Sequence, residues 1–331
     1  MARRLIALVF GLVLVPVAQL GVATAASGKG IPVTGLSPDS GGLTAPGSDD
    51  RYVVLEATEG TVLARLAQDG GEVIEARSLR DRLTTPPVAL DGTPGGLSAD
   101  GRTLVLVPPR TGLALERTKL EVFDAATLHR RDEFILRGDF SFDAISPDGS
   151  RIYLIEYLRP GDPTRYRVRA LDTHSGRLLP DPILDPNEAP GEMRGYPLTR
   201  ATSPDGRWAY TLYDGGGDHP FVHALDTVDG RAVCIDVHAL AGHPALGNFF
   251  PHPISRFQLA TSDGLTVLDK GQPVAVVDTQ TFEVSAPSQP GDGSGFPWAL
   301  LAVAPVALAT AWMLSVALRR RRHGVAAGSA R

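Results

Sequence analysis

The feature that most constrains the fold of this 331-residue chain is a tetrapeptide that recurs at regular intervals. Proline or alanine at its second position, aspartate at the third and glycine at the fourth are typical of a tight β-turn, because glycine accepts the strained last position. A short strand pattern follows each copy, so we predict that each copy joins two antiparallel strands. The turn residues are Ser98, Asp100 and Gly101; Ser146, Pro147, Asp148 and Gly149; and Ser203, Pro204, Asp205 and Gly206.

A second mark recurs where a strand pattern ends in aspartate followed by a small residue. These aspartates are Asp124, Asp172, Asp226 and Asp278, and they lie 48, 54 and 52 residues apart. A period near 50 leaves room for four strands, and a four-stranded sheet buries both of its faces only by stacking on neighbours. We therefore predict an all-β fold over residues 51–287. The predicted fold is a β-propeller of about five four-stranded blades. A ring of six or seven blades is also compatible with the sequence, because two of the units depart from the repeat pattern.

These turns and Asp-Thr strand ends make the chain resemble the YVTN-type, WD-repeat-like and TolB-like β-propellers. The resemblance covers roughly residues 31–287 and implies the propeller fold. It says little about function, because such propellers host many roles. The repeated aspartates and glycines are expected to be structural, because turn chemistry accounts for them without a ligand.

The N-terminal residues 1–25 have the pattern of a secretory signal peptide. Arg3 and Arg4 precede an apolar run, and Ala23-Thr24-Ala25 offers the small residues that a signal peptidase accepts. An uncleaved anchor helix is the alternative. Residues 26–50 are predicted to be a linker or the start of the first blade.

The C-terminal part has the pattern of a membrane anchor. Residues 288–295 form a predicted flexible tether, and residues 296–318 contain no charge over a length that can cross a bilayer. Four arginines open the basic tail of residues 319–331, which marks the cytoplasmic side. We predict a single-pass plasma-membrane protein with its propeller outside the cell and its C-terminus in the cytoplasm.

The charge of the predicted outer part is acidic. The formal net charge is −5, and the two ends together hold seven arginines and no acid, which leaves 25 basic against 37 acidic residues elsewhere. This balance argues against nucleic acid as a partner. Cys234 is the only cysteine, so no intrachain disulfide can form. Three lysines against 29 arginines are typical of a high-GC bacterial genome.

Candidate chemistry is confined to a segment rich in histidine. Metal ligands could come from His219, His223, Asp214 and Asp218. Their spacing matches no helix-borne zinc motif, so packed or solvated histidines are the competing interpretation. The chain shows neither a nucleophile elbow nor a phosphate-binding loop. We therefore predict no catalytic residue and no cofactor.

The leading functional hypothesis is a binding or scaffold module of the cell envelope whose partner is an envelope protein or polymer. A first alternative is a lactonase-like propeller hydrolase with a metal or carboxylates at the mouth of its channel. A second alternative is a sensor that pairs with a membrane partner through residues 296–318.

Overall fold

The structure is a computed structural model that describes residues 42–67, 72–112, 114–187, 193–215, 219–246, 256–262 and 264–287. The elements of this part of the chain are antiparallel strands and one short 3-10 turn, His238–Leu240. None of the helices in it is long and apolar enough for a membrane span. The predicted signal peptide, tether, membrane helix and basic tail lie outside the described residues and stay predictions.

Five antiparallel sheets follow one another along the chain, and the strands that are neighbours in sequence pair with each other, except that β11 pairs with β9. Sheet 1 comprises β1 (Asp50–Ala57), β2 (Gly60–Ala67) and β3 (Val73–Leu79). Sheet 2 comprises β4 (Thr103–Leu106), β5 (Arg117–Asp124) and β6 (Arg130–Arg137). Sheet 3 comprises β7 (Phe140–Ile145), β8 (Arg151–Arg159), β9 (Asp162–Asp172), β10 (Arg177–Leu178) and, paired with β9, β11 (Met193–Arg194). Sheet 4 comprises β12 (Pro197–Thr202), β13 (Trp208–Tyr213), β14 (Phe221–Asp226) and β15 (Arg231–Asp236). Sheet 5 comprises β16 (Phe257–Ala260), β17 (Leu265–Asp269), β18 (Gln272–Val277) and β19 (Val284–Ser285).

Sheets 1 and 2 each carry a fourth segment on the side of their first strand. In sheet 1, Leu43 pairs with Tyr52 through two backbone hydrogen bonds of 2.8 Å. In sheet 2, Leu97 bridges to Leu104, and the Val105 amide donates to the Gly96 carbonyl oxygen at 2.7 Å. Both sheets therefore contain the four segments predicted for a blade.

The sheets stack face to face in chain order. Alternate residues of a strand point to opposite faces of its sheet, so one strand packs against both neighbouring sheets. In β13, for example, Tyr210 and Leu212 pack toward sheet 5, whereas Ala209 and Tyr213 pack toward sheet 3. The buried clusters that join consecutive sheets include Leu63, Leu104 and Phe123 for sheets 1 and 2; Val122, Phe142 and Leu154 for sheets 2 and 3; Tyr153, Val168 and Tyr213 for sheets 3 and 4; and Leu212, Val222 and Val267 for sheets 4 and 5. Stacked antiparallel blades confirm the all-β, propeller-type prediction, while the blade count and the closure of a ring stay predictions.

The repeated turns have the same internal hydrogen bonds in all three copies. The serine hydroxyl donates to the aspartate two residues later, over 2.6 Å from Ser98, 2.7 Å from Ser146 and 2.5 Å from Ser203. The same hydroxyl oxygen accepts a backbone N–H five residues on, at 2.8–3.0 Å. The serine hydroxyl holds the pKa of Asp148 and Asp205 below the usual value. The turn is thus fixed by bonds within six residues.

The strand-end aspartates cap the following turn, and in sheets 3 and 4 the threonine after the aspartate binds the tetrapeptide turn of the same sheet. Asp172 Oδ1 accepts the Ser175 amide at 2.7 Å, and Asp226 Oδ1 accepts the Val228 amide at 3.0 Å. Thr227 Oγ1 donates to the Gly206 carbonyl oxygen at 3.0 Å. The two recurring marks of the sequence are therefore bound to each other inside each of these sheets.

The three turns lie close together at one end of the stacked sheets. The Asp100 amide donates to the Pro147 carbonyl oxygen at 3.0 Å, which joins sheets 2 and 3. Gly206 lies against Ala99, and a Cβ on Gly206 would come within 2.3 Å of the Ala99 Cβ. Gly206 also has a φ of 72°. Glycine is therefore needed there both for the backbone conformation and for the contact between sheets 2 and 4.

We predict that Gly206→Ala lowers the free energy of unfolding by about 3 kcal/mol, from left-handed strain of about 1–2 kcal/mol and overpacking of similar size. Gly271→Ala is the matched control, because its φ is 76° and nothing lies within 4 Å of its Cβ position. Gly271→Ala should lower the free energy of unfolding only by the cost of the backbone strain, about 1–2 kcal/mol. Denaturant unfolding followed by tryptophan fluorescence measures both, and equal losses would contradict the proposed contact.

Candidate functional site

A cavity of about 240 Å³ opens at the end of the sheets opposite the repeated turns. β7 runs from Phe140 toward the turn at Ser146, and the cavity lies at the beginning of this strand. Three sheets and two loop segments, residues 86–90 and 107–111, supply its walls. The wall residues include Leu120 of sheet 2, Phe140, Phe142 and Ile155 of sheet 3, and Pro197 and Tyr213 of sheet 4, with Val107 directly after β4.

A small hairpin of residues 86–94 forms one side of the cavity. Pro87 and Pro94 pair at its base, and the Val88 amide donates to the Thr93 carbonyl oxygen at 2.9 Å. At its tip the Leu90 amide donates to the Pro197 carbonyl oxygen at 2.9 Å. The hairpin therefore reaches from sheet 2 to the first strand of sheet 4, and its prolines restrict the backbone of this wall.

Three polar side chains at the cavity, those of Tyr157, Ser141 and Arg110, are bound to other protein groups. Tyr157 donates its hydroxyl to Ser141 Oγ at 3.1 Å, and burial raises the pKa of Tyr157, so the hydroxyl stays protonated. The Arg110 guanidinium lies 5.2 Å from the centroid of the Tyr157 ring and binds both carboxylate oxygens of Asp139 at 2.7 Å. The cavity is mainly apolar, and its wall includes this hydroxyl pair and the neutralised Arg110 cation.

A row of polar residues crosses sheet 4 on the face toward sheet 3. Arg200, Thr211, His223 and Cys234 are direct cross-strand partners from β12 to β15, and directly paired residues share one face of a sheet. We call these four residues the polar row. His223 Nδ1 lies 3.9 Å from Cys234 Sγ. Cys234 lies in β15, where it is half-buried.

A buried ion pair joins the polar row to sheet 3. Arg200 binds the Asp143 carboxylate and also donates to the Asp143 carbonyl oxygen at 3.0 Å; their side chains are 4% and 2% exposed. The register of β7 skips at Asp143, so this residue forms a β-bulge. Bulges re-aim side chains and are frequent beside functional sites. Both residues stand three positions before a turn serine. An alignment of the repeats on that serine would have shown this pair of charged positions, which the turn and strand-end marks alone do not include.

Several buried polar atoms of this region make no hydrogen bond within the described part of the chain. They are Asp143 Oδ2, Arg200 Nε, Thr211 Oγ1 and His223 Nε2. Such atoms cost stability, because they lose water without gaining a partner. Tyr213 separates them from the cavity: it lines the cavity, and its ring lies 6.4 Å from the His223 ring, centroid to centroid. Tyr213 therefore lies between the cavity and the polar row.

The predicted metal ligands are spread over different surroundings. His219 Nε2 lies 2.9 Å from Asp236 Oδ1, His223 belongs to the polar row, and Asp214 Oδ1 accepts the Tyr196 amide at 2.7 Å. Asp218 lies outside the described residues. Among the described residues, these side chains do not form a group of three ligands within reach of one ion. A metal site at these residues stays a prediction.

Three other carboxylates converge on the outer part of sheet 2. Asp81, Glu121 and Glu133 have oxygens within 4.8 Å of one another, a grouping found nowhere else in the described part of the chain. The Lys119 ammonium lies 3.0, 2.7 and 3.1 Å from them, respectively. Burial lowers the pKa of Lys119, but hydrogen bonds to Glu121 and Asp81 outweigh burial and raise it, so Lys119 stays charged. A protein cation therefore already neutralises this cluster.

Comparison with known proteins adds no function. No known family model matches the sequence, and no curated protein matches it. The chain is similar to solved structures of hydrazine synthase from Kuenenia stuttgartiensis, a TolB from Agrobacterium tumefaciens and BamB from Moraxella catarrhalis. The identities are 14%, 17% and 18%, and the TM-scores are 0.38, 0.40 and 0.38. The matches cover 75%, 73% and 74% of this chain and 70%, 77% and 64% of those chains. Similarities this low carry no argument about activity or ligand.

We predict that Arg200→Met lowers the free energy of unfolding by about 3–5 kcal/mol, because it leaves the buried Asp143 carboxylate without its cation. The double variant Asp143→Leu with Arg200→Met should recover most of this loss, because it removes both charges together. Urea unfolding of the two single variants and the double variant measures the coupling. Additive losses would show that the two side chains do not depend on each other.

We predict acid sensitivity at the interface of sheets 3 and 4. Burial lowers the pKa of His223 to about 4 from 6.5, so the folded state favours the neutral ring. The associated stability is fully present above pH 6.5 and is lost as the pH falls toward 4. Between pH 7 and 4.5, the wild type should lose about 2–3 kcal/mol more than His223→Leu. Urea unfolding at both pH values measures this, with the exposed His174→Gln as control; equal losses in wild type and His223→Leu would contradict it.

Proposed function

We propose that this chain is a membrane-anchored, extracytoplasmic β-propeller that binds a partner of the cell envelope. In this proposal about five blades close into a ring, residues 288–295 tether it and residues 296–318 anchor it. The observation that carries the proposal is the cavity at the end opposite the repeated turns. Recognition is typical of loops held by a rigid scaffold, and this cavity is formed by a hairpin held against three sheets.

The composition of the cavity favours binding. Its wall consists mainly of prolines, aliphatic residues and aromatic rings, with few polar groups. Sites that bind ligands are typically apolar and concave, with a few polar groups that fix orientation. Arg110 and Asp139 are held by each other, as are Tyr157 and Ser141. The wall is therefore preorganised, which lowers the conformational entropy lost on binding.

The envelope location is supported by the ends of the chain and by its charge. The uncharged stretch of residues 296–318 and the arginines after it favour an anchor with an outer propeller. The acidic balance of the predicted outer part disfavours nucleic acid. An envelope protein or polymer is therefore the partner class that we propose.

We predict that in-cell crosslinking of the full-length protein, tagged at its C-terminus, recovers a recurrent envelope partner. Thr111→Trp should lower that recovery about tenfold, because Thr111 is exposed at the cavity and the larger ring would obstruct it. His174→Trp is the matched control on the exposed turn between β9 and β10. Recovery that is equal in both variants would overturn a role of the cavity in partner binding.

A further inference from the structure

The size of the cavity limits what it can hold. An apolar cavity of about 150 Å³ in another protein accepts benzene. The volume here is about 240 Å³, which leaves room for a group larger than one aromatic ring and close to two fused rings. The cavity is too small for a folded element, such as a helix or a paired strand.

The wall offers flat and rigid surfaces. Five prolines and four aromatic rings line the cavity, and both side-chain types present planar faces with little conformational entropy to lose. These residues are Pro86, Pro87, Pro108, Pro109 and Pro197, with Phe140, Phe142, Tyr157 and Tyr213. A planar apolar group is the ligand shape that such faces contact best.

The Ser141 hydroxyl can donate a hydrogen bond to a ligand. Ser141 Oγ accepts the Tyr157 hydroxyl, and within the described residues the Ser141 hydroxyl proton has no acceptor. Arg110, by contrast, is held by Asp139 and donates Nε–H to the Gly112 carbonyl oxygen at 3.0 Å. A neutral acceptor near Ser141 can therefore receive this proton, while Asp139 already neutralises the Arg110 guanidinium.

We propose that the cavity binds a planar, mostly apolar group of about two fused rings that carries one neutral hydrogen-bond acceptor received by Ser141. This inference rests on the proposed function and names the ligand chemistry of the same site. The group belongs to a small molecule, because the fused-ring side chain of proteins, the tryptophan indole, donates a hydrogen bond and cannot accept one.

The test uses the purified full-length protein and two probes of nearly equal shape, 2-acetylnaphthalene and 2-ethylnaphthalene, which differ in the carbonyl acceptor. Equilibrium dialysis against a matched detergent blank measures their binding. We expect the acetyl probe to bind about threefold to tenfold more tightly, the net value of one hydrogen bond. Ser141→Ala should remove this preference, and Leu115→Trp, which fills the cavity, should abolish binding of both probes.

His174→Trp should bind both probes like the wild type, and a thermal unfolding curve of each variant shows whether it is folded. If Leu115→Trp does not fold, Thr111→Trp replaces it. Failure of the wild type to bind either probe, or a preference that survives in Ser141→Ala, would overturn the inference.

Adding the acetyl probe to the crosslinking experiment tests whether the ligand and the partner share the cavity. Loss of the captured partner supports one shared cavity. Unchanged capture together with probe binding supports a free small molecule. Capture that depends on Thr111 without any discrimination between the probes would leave the proposed function standing and overturn the ligand chemistry alone.

Discussion

Each sheet of this protein depends on having both of its faces covered by its neighbours. The residues of β13 show the constraint: Leu212 packs toward sheet 5 and Tyr213 toward sheet 3, and both are almost fully buried. A sheet with two apolar faces cannot be stable alone, so the blades are stable only as a stack. The serine–aspartate turns then contact one another at one end of the stack, as Gly206 does against Ala99.

The interface of sheets 3 and 4 departs from this apolar rule. A bulge at Asp143 and the polar row beginning at Arg200 place charges and unsatisfied polar atoms where the other interfaces hold aliphatic residues. Such groups destabilise a fold relative to apolar residues of similar size. Their presence at this interface therefore indicates a role that apolar residues cannot fill. The cavity lies directly on the other side of Tyr213. The irregular interface and the proposed binding site are therefore joined through one aromatic side chain.

The two ends of the stack serve different purposes. The repeated turns lie at one end, and their polar side chains are satisfied within each turn, as in the bond from Ser146 to Asp148. At the opposite end the hairpin of residues 86–94 and the end of sheet 2 break the repeat, and the cavity lies between them. A scaffold that repeats at one end and varies at the other is the arrangement expected of a binding module.

The sequence alone determined the blade pattern, because turns such as Ser146 to Gly149 and caps such as Asp226 to Val228 are bonded within a few residues of themselves. It also indicated the period and the all-β class, since hydrophobic alternation reflects local strand geometry. It did not indicate the cavity, the hairpin contact from Leu90 to Pro197, or the ion pair of Asp143 with Arg200. Their partners lie 57 or more residues apart in the chain, and they meet only when blades stack. Only the tertiary structure decided them, because such contacts depend on the order and spacing of whole sheets, which no local pattern records.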